Sequence, residues 1–256
     1  MKSRRDTGKN SSTDLMHYLV TNCQYKSGRN LSDKEVAHIM IAMLMAGQHT
    51  SSTTSAWALL YLAQTPDLFN QLRQEQIKIL GSLDVPLTYD SIKQLSLHDN
   101  VVRETLRLRP PILHIIRKVV RDMPIPGSNY VIPKDAYIQC VPALSARSND
   151  YFDNAEDFNP YRWNDFDLQN KERDDDLIDY GFGALHSTSA KSPFLPFGRH
   201  RCIGEPFAYL QIKTIIATLV RIFDLELLNN KFPDCDFTTM MVQPKNPMVK
   251  YTRVDY

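Results

Sequence analysis

The pattern of apolar and polar positions predicts one very long helix. Its signal runs from about Ser32 to Gln64, opens with a capping box at Ser32 and Glu35, and stops before Pro66. At 1.5 Å per residue such a helix is roughly 48 Å long, enough to cross a domain. Its middle is apolar on nearly every face, which predicts a helix buried at the centre of the fold.

Shorter elements follow along the chain. The pattern predicts helices over Pro66 to Leu80, Asp99 to Leu108 and Glu205 to Phe223. Between the last two, "RKVVRDMPIPGSNYVIPKDAYIQCV" mixes β-branched runs with proline and glycine, which indicates short strands and turns. The tail from Phe237 to Val254 favours paired strands. The fold class is therefore mainly α with small marginal β-sheets, and the lack of alternating βαβ units argues against a Rossmann-like sheet.

Composition excludes several classes of function. The 256 residues are 43% hydrophobic and 23% charged, and 30 basic against 29 acidic residues leave a net charge of +1. That balance gives no argument for nucleic-acid binding. No run of about 18 apolar residues is present, so no transmembrane helix is expected in this chain. The cysteines lie far apart, which argues against a zinc site or a disulfide scaffold and favours a reduced, cytosol-facing environment.

One cysteine lies in an unusual setting. In "FLPFGRHRCIGEPFAYLQ", Cys202 follows Arg199, His200 and Arg201 and precedes a helix that starts at about Glu205. Nearby cations and a helix N-terminus both lower the pKa of a thiol and stabilise the thiolate. The residues alone leave three roles open: a buried structural thiol, a nucleophile with His200 as its base, and a metal ligand.

The long helix contains a small, polar stretch, "AGQHTSS". Gly47 removes a side chain, so a ligand can approach the backbone or the helix can bend. Thr50 can donate a hydrogen bond back to a carbonyl of the preceding turn, and His49 is a titratable proton carrier beside it. The alternative is a close helix–helix contact that requires small residues.

Two further motifs carry charged side chains. In "ETLR", Glu104 and Arg107 are spaced i,i+3 and can pair on one helix face, although such pairs are common on exposed helices. In "FNPYRW", which spans Phe158 to Trp163, aromatic residues flank Arg162 and predict an ordered loop with a buried aromatic pair.

Taken together and in this order, the four motifs resemble the C-terminal half of a cytochrome P450, the haem-thiolate monooxygenase family. The resemblance covers essentially the whole chain, so residues 1–256 are interpreted as one partial cytochrome P450 domain whose membrane anchor and first half are absent. It implies a haem b cofactor with the thiolate of Cys202 as the iron ligand. His200 and Arg117 would bind the haem propionates, and Phe197 and Gly47 would also lie against the cofactor.

The same resemblance assigns other roles. Thr50, with His49, would deliver protons to dioxygen on the distal side of the haem. Glu104 and Arg107 would form a structural cluster with Arg162. The residues matching the family's substrate pocket are Ala42, Met45, Ala46, Ile115, Ile116, Met240, Met241 and Val242.

The His-Thr pair at His49 and Thr50, with "FNPYRW" and "GRHRCIGE", is similar to the sterol 14α-demethylase branch, especially its fungal form. That similarity implies removal of the 14α-methyl group of lanosterol or eburicol in ergosterol biosynthesis, by three successive oxidations. Each would use O2 and two electrons from NADPH through a cytochrome P450 reductase. The implied location is the cytosolic face of the endoplasmic reticulum membrane.

The ligand loop departs from the family pattern. Phe197 lies five residues before Cys202, where the pattern has seven, and Gly198 is the glycine that remains between them. Glycine permits the backbone conformations that a tight turn under a haem requires. A non-catalytic fragment with weak or no haem binding is therefore the alternative function. A cysteine-based hydrolase or redox enzyme lacks a matching base and orienting partner.

Overall fold

The structure is a computed structural model that describes residues 14–125, 127–164, 202–239 and 241–254. The chain divides into two compact units, Met1–Thr50 and Ser51–Tyr256. None of the helices in the described ranges combines the length and the apolar character needed to cross a membrane.

The longer helices agree closely with the sequence pattern. The described helices are α1 (Leu15–Thr21), α2 (Asp33–Gln64), α3 (Pro66–Leu80), α4 (Tyr89–Gln94), α5 (Ser96–Leu108), α6 (Pro142–Ser145) and α7 (Glu205–Ile222). Two 3-10 turns span Pro160–Trp163 and Leu228–Asn230. The sequence pattern missed α1, α4 and α6, because helices this short contain too few turns to show a period.

The strands form four small antiparallel pairs. They are β1 (Ile115–Lys118), β2 (Met123–Pro124), β3 (Val131–Ile132), β4 (Tyr137–Cys140), β5 (Phe223–Leu227), β6 (Cys235–Asp236), β7 (Gln243–Pro244) and β8 (Val249–Arg253). The pairs are β1 with β4, β2 with β3, β5 with β8, and β6 with β7. The tail strands β7 and β8 are each paired, as the sequence pattern predicts, and their partners are the earlier strands β6 and β5.

The first unit is stabilised by a small apolar cluster and a capping network. Glu35 accepts two hydrogen bonds from Arg29, at 2.9 and 3.0 Å, one from the Tyr25 hydroxyl at 3.0 Å, and one from the Ser32 amide at 2.8 Å. The Glu35 amide in turn donates to Ser32 Oγ at 3.3 Å, which confirms the predicted capping box. These hydrogen bonds, chiefly the one from Arg29, hold the pKa of Glu35 well below its usual range.

The core of the second unit lies between the second half of α2 and helices α3, α5 and α7. Its buried apolar side chains are Ala58, Leu62, Leu68, Phe69, Leu72, Val101, Val102, Ile212, Ile216 and Val220. Because α5 is packed on this cluster, side chains on its opposite face are directed toward the loop that follows α6. That placement brings Glu104 and Arg107 against residues 146–163.

The long helix is buried over only part of its length. In the second unit most of the residues from Ser51 to Ala63 are buried. In the first unit Ile41, Leu44 and Met45 are 55%, 68% and 66% exposed. The prediction of a helix with a buried middle is therefore wrong for residues 41–49, because these apolar side chains are not covered by the described part of the chain.

Candidate functional site

A buried polar cluster of the second unit is centred on Glu104 and Arg107 of α5. Arg107 Nε donates to Glu104 Oε2 at 2.9 Å, and Nη2 donates to Oε1 at 2.8 Å. The remaining donors of Arg107 reach the carbonyls of Ala146 and Ala155 at 2.6 Å and of Asp157 at 3.0 Å. Both charged side chains are fully buried, so the surface-pair alternative is wrong.

Three further donors complete the coordination of Glu104. Arg162 Nε lies 3.0 Å from Oε1, Trp163 Nε1 lies 2.9 Å from Oε2, and the Asn159 amide lies 2.9 Å from Oε1. A buried carboxylate is stable only when its lone pairs are matched, and five hydrogen bonds achieve that here. The cluster therefore clamps α5 to the loop that carries "FNPYRW".

The aromatic residues beside Arg162 differ from each other in burial. Trp163 is buried and donates to the cluster, whereas Tyr161 is exposed and its hydroxyl donates to Gln71 Oε1. The buried partner of Trp163 is Phe152, at 6.1 Å between ring centroids. The predicted buried pair within "FNPYRW" is therefore wrong, since the partner comes from outside the motif.

Cys202 lies in the turn that leads into α7. Its carbonyl accepts from the Glu205 amide at 3.3 Å, and Gly204 is the N-cap residue of the helix. The thiol is exposed, so the role of a buried structural cysteine is wrong. The neighbouring Ile203 and Phe207 are also exposed, so the thiol is flanked by accessible apolar side chains. Phe197 and the basic residues from Arg199 to Arg201, which include His200, lie outside the described residues.

A haem needs a ligand for its iron and apolar surface for its macrocycle. A thiolate is one of the ligands that haem iron takes, and the Cys202 thiol is exposed, so a cofactor can reach it. The exposed Ile203 and Phe207 supply apolar surface next to Cys202. These described residues therefore fit the proximal side of a haem.

Thr50 and His49, the residues expected on the side of the haem where dioxygen binds, lie on α2 in the first unit. Thr50 Oγ1 donates to the Ala46 carbonyl at 2.8 Å, as the sequence predicts, and His49 is exposed. A Cβ built on Gly47 would meet no described atom within 4 Å. The described residues thus leave open space beside the backbone of Gly47, and none of them packs closely against it. Ala42 and Met45 are exposed on the same segment.

The other predicted pocket residues occupy two places in the second unit. Ile115, Ile116 and Arg117 lie on β1, where Arg117 Nη1 donates to the Ile116 carbonyl at 3.0 Å. Val242 is buried and lines a cavity of about 280 Å³ together with Leu108, Arg109, Pro110, Leu113, Ala143, Arg147, Cys235 and Phe237. Met241 precedes it and is partly buried, and Met240 lies outside the described residues.

Sequence reasoning missed the residues that position Val242. Trp57 Nε1 donates to the Val242 carbonyl at 2.9 Å, and the Val242 amide donates to the Pro111 carbonyl at 3.4 Å. Arg109 covers the Trp57 ring, with its guanidinium carbon 4.9 Å from the centroid. No local pattern could identify this link, because Trp57 and Val242 are 185 residues apart.

Comparison with known proteins identifies relatives over nearly the whole chain. The cytochrome P450 family profile matches residues 1–251. The lanosterol 14-alpha demethylase of Cunninghamella elegans is 46% identical, over 98% of this chain and 50% of its own length. The lanosterol 14-alpha demethylase of Schizosaccharomyces pombe is 43% identical, over 97% and 49%. The chain thus spans about half the length of these curated relatives.

A solved structure supports the same fold. A crystallised cytochrome P450 superposes with a TM-score of 0.78 and 21% sequence identity, covering 98% of this chain and 53% of that one. This likeness and the described helices with marginal sheets confirm the predicted fold class. With the family profile matched over residues 1–251, the chain belongs to the cytochrome P450 family.

Proposed function

We propose that this chain is the haem-ligating half of a sterol 14α-demethylase, which removes the 14α-methyl group of lanosterol or eburicol by three successive oxidations. The observation that carries the proposal is the group of relatives named lanosterol or sterol 14-alpha demethylase at 43–46% identity. The pairing of His49 with Thr50 in the long helix supports the same branch of the family.

The described residues support haem binding at Cys202. Cys202 would supply the thiolate that ligates the haem iron. By resemblance to the family, His200 and Arg117 would bind the haem propionates as cations, and Phe197 and Gly47 would contact the macrocycle. When bound, haem supplies the activation of O2, with electrons from NADPH that arrive through a cytochrome P450 reductase.

The chain's own residues then manage protons and substrate. Thr50 Oγ1, held on the helix by its bond to Ala46, holds and passes a proton, and the exposed His49 imidazole exchanges protons with solvent. The sterol contacts Ala42, Met45, Ala46, Ile115, Ile116, Met240, Met241 and Val242. An apolar pocket with few polar groups suits a sterol, because this ligand offers one hydroxyl for orientation. The proposed location is the cytosolic face of the endoplasmic reticulum membrane.

The proposal is tested first by haem binding. The chain supplied with haem, reduced and exposed to carbon monoxide should give a thiolate-type Soret band. Cys202→Ser should abolish the band, whereas Cys235→Ser, on a partly buried thiol, should retain it. An azole that ligates the iron should shift the spectrum of the wild-type chain. Sterol turnover with reductase and NADPH then tests the reaction itself.

The second candidate function is a non-catalytic fragment of such an enzyme. It is favoured by the short ligand loop, in which Phe197 lies only five residues before Cys202. It is also favoured by the exposed apolar side chains of Ile41, Leu44 and Met45. No haem uptake under reconstitution would overturn the enzyme proposal for this chain and support the fragment.

A further inference from the structure

The second unit contains a cavity that the proposed reaction does not use. It has a volume of about 550 Å³ and lies between the segment after α3, the last turn of α7 and the end of β8. One part of its wall is apolar and consists of Leu83, Leu87, Ile222 and Val254. The other part is polar and consists of Asp84, Thr218, Arg221 and Arg253. A cavity with both kinds of wall suits a small molecule that has an apolar body and a polar end.

Arg221 brings an unmatched hydrogen-bond donor to this cavity. Its Nε donates to Gln76 Oε1 at 2.5 Å, and its Nη1 donates to the carbonyls of Leu83 at 3.0 Å and Val85 at 2.7 Å. Its Nη2 is buried and has no hydrogen-bond partner among the described residues. Burial lowers the pKa of Arg221, although the charge of Asp84 opposes that shift. Because a buried, unmatched donor of a cation is costly, an acceptor placed beside Nη2 would be favourable.

Two other polar side chains of the wall are available to a ligand. Arg253 and Thr218 are both exposed, and neither side chain has a hydrogen bond or an ion pair within the part of the chain that the structure describes. Two arginines and the carboxylate of Asp84 leave a net charge of +1 on the wall. That charge is complementary to a monoanion.

The backbone at the end of α7 does not oppose an anion. The last carbonyls of a helix carry partial negative charge, which would repel a carboxylate. Here the carbonyls of Val220 and Phe223 accept from Arg73 at 2.7 and 2.8 Å, and the Ile222 carbonyl accepts from the Val254 amide at 2.8 Å. These carbonyls are therefore occupied, and the side chains of the wall set the charge of the cavity.

We propose that this cavity binds a small organic monocarboxylate that carries an apolar chain. The carboxylate accepts hydrogen bonds from Arg221 Nη2, the Arg253 guanidinium and the Thr218 hydroxyl, and such bonds to charged groups are short and strong. The chain of the ligand lies against the apolar part of the wall. None of the lining residues belongs to the sets proposed to bind haem or the sterol, so this site can fail or hold independently of the proposed function.

The test is calorimetric titration of the full chain, without haem, with three small molecules. Octanoate has both a carboxylate and an apolar chain, 1-octanol has the chain without the charge, and acetate has the charge without the chain. Octanoate should bind at one site per chain. Both analogues should bind at least about tenfold more weakly, because each lacks one of the two kinds of contact.

Substitutions then locate the site. Arg253→Gln should weaken octanoate binding about tenfold, since a hydrogen bond to a charged group is lost, and Thr218→Val should weaken it about threefold. The matched control is Lys250→Gln, which removes an exposed cation from the same strand but not from the cavity wall, and should leave the affinity unchanged. Arg253 is the better variant than Arg221, because Arg221 also holds residues 76–85 against α7.

Two results would overturn the proposal. In the first, the folded chain does not bind octanoate. In the second, octanoate binds equally well to the wild-type chain and to Arg253→Gln, or no better than 1-octanol, which would show an apolar contact without recognition of the carboxylate. Haem uptake at Cys202 has no bearing on either result.

Discussion

Two regions reverse the usual rule that charges face water and apolar side chains face the interior. Around Glu104 and Arg107 of the second unit, full charges are buried. At Ile41, Leu44 and Met45 of the first unit, large apolar side chains are exposed. The first arrangement is complete within the described residues, because each charged atom of the Glu104 carboxylate has partners. The second is incomplete, because apolar surface can be satisfied only by a cover.

The difference shows which part of the family's architecture this chain supplies by itself. A buried ion cluster is tolerated only when geometry and extra hydrogen bonds offset the desolvation of the charges. Residues 104–163 provide all of those partners. An exposed apolar set on a helix marks a surface for a ligand, a membrane or another polypeptide. The buried charged cluster is therefore complete within the described residues, whereas the exposed apolar side chains of α2 have no cover there.

The largest loss of stability is expected from Glu104→Gln in the buried cluster. This change keeps the size of the side chain but leaves Arg107 buried without its counter-charge. The free energy of unfolding should fall by about 3–5 kcal/mol, measured by urea denaturation. Glu226→Gln, which weakens an exposed pair with Lys250 at 3.4 Å, is the control and should change it by less than about 0.5 kcal/mol. Equal losses in both variants would show that burial of the cluster has no energetic consequence.

A milder test replaces the third charged member of the cluster. Arg162→Gln removes the bond to Glu104 and one of 2.9 Å to the Asp153 carbonyl, but keeps the bidentate pair with Arg107. We expect a loss of about 2 kcal/mol in the free energy of unfolding, because a hydrogen bond to a charged group is lost near the surface. A loss as large as that of Glu104→Gln would mean that the three charges act as one indivisible unit.

Acid should weaken a second buried polar network of the same unit. His98 is buried with Nδ1 2.7 Å from Glu75 Oε2 and Nε2 3.1 Å from Gln76 Nε2. Burial lowers the pKa of His98, as do the charges of Lys213 and Arg221, while Glu75 opposes them. As the pH falls, His98 therefore takes up a proton first in the unfolded chain, where its pKa has the ordinary value of 6.5, and only at lower pH in the folded chain.

Stability should consequently decrease as the pH falls from 7.5 to 5.5, by at most about 1.4 kcal/mol for this one proton. Burial alone would raise the pKa of Glu75, but hydrogen bonds from His98 and the Leu97 amide lower it, so a further loss should begin below its ordinary value of 4.5. Urea midpoints measured from pH 7.5 to below 4.5 follow both steps. His98→Gln should remove the first step, and its persistence in that variant would contradict the assignment to His98.

The smallest effect on the free energy of unfolding is expected from the exposed apolar side chains of α2. Leu44→Gln should change the free energy of unfolding by less than about 0.5 kcal/mol, because the side chain is already 68% exposed. It should nevertheless reduce self-association, measured by light scattering against concentration, since an exposed apolar group is replaced by a polar one. Leu62→Gln, at a fully buried position later in the same helix, is the opposite control and should unfold the chain.

Sequence patterns could predict the long elements and part of the site. The bounds of α2, α3 and α7 followed from capping residues, prolines and periodicity, which act locally. The partners of Glu104 could be anticipated only through resemblance, because Arg162 lies 58 residues away. The exposure of Ile41 and Leu44 could not be predicted, since an apolar pattern indicates what a helix can bury and not whether a cover is present.

The link between Trp57 and Val242 has a consequence for the order of folding. The clamp around Glu104 closes loops of at most 59 residues, whereas Trp57 must reach a carbonyl 185 residues away. Closing a longer loop costs more chain entropy, and distant contacts form slowly. We therefore expect the α5 clamp to form early and the Val242 segment to dock late, so the wall of the cavity beside Arg109 is completed among the last steps of folding.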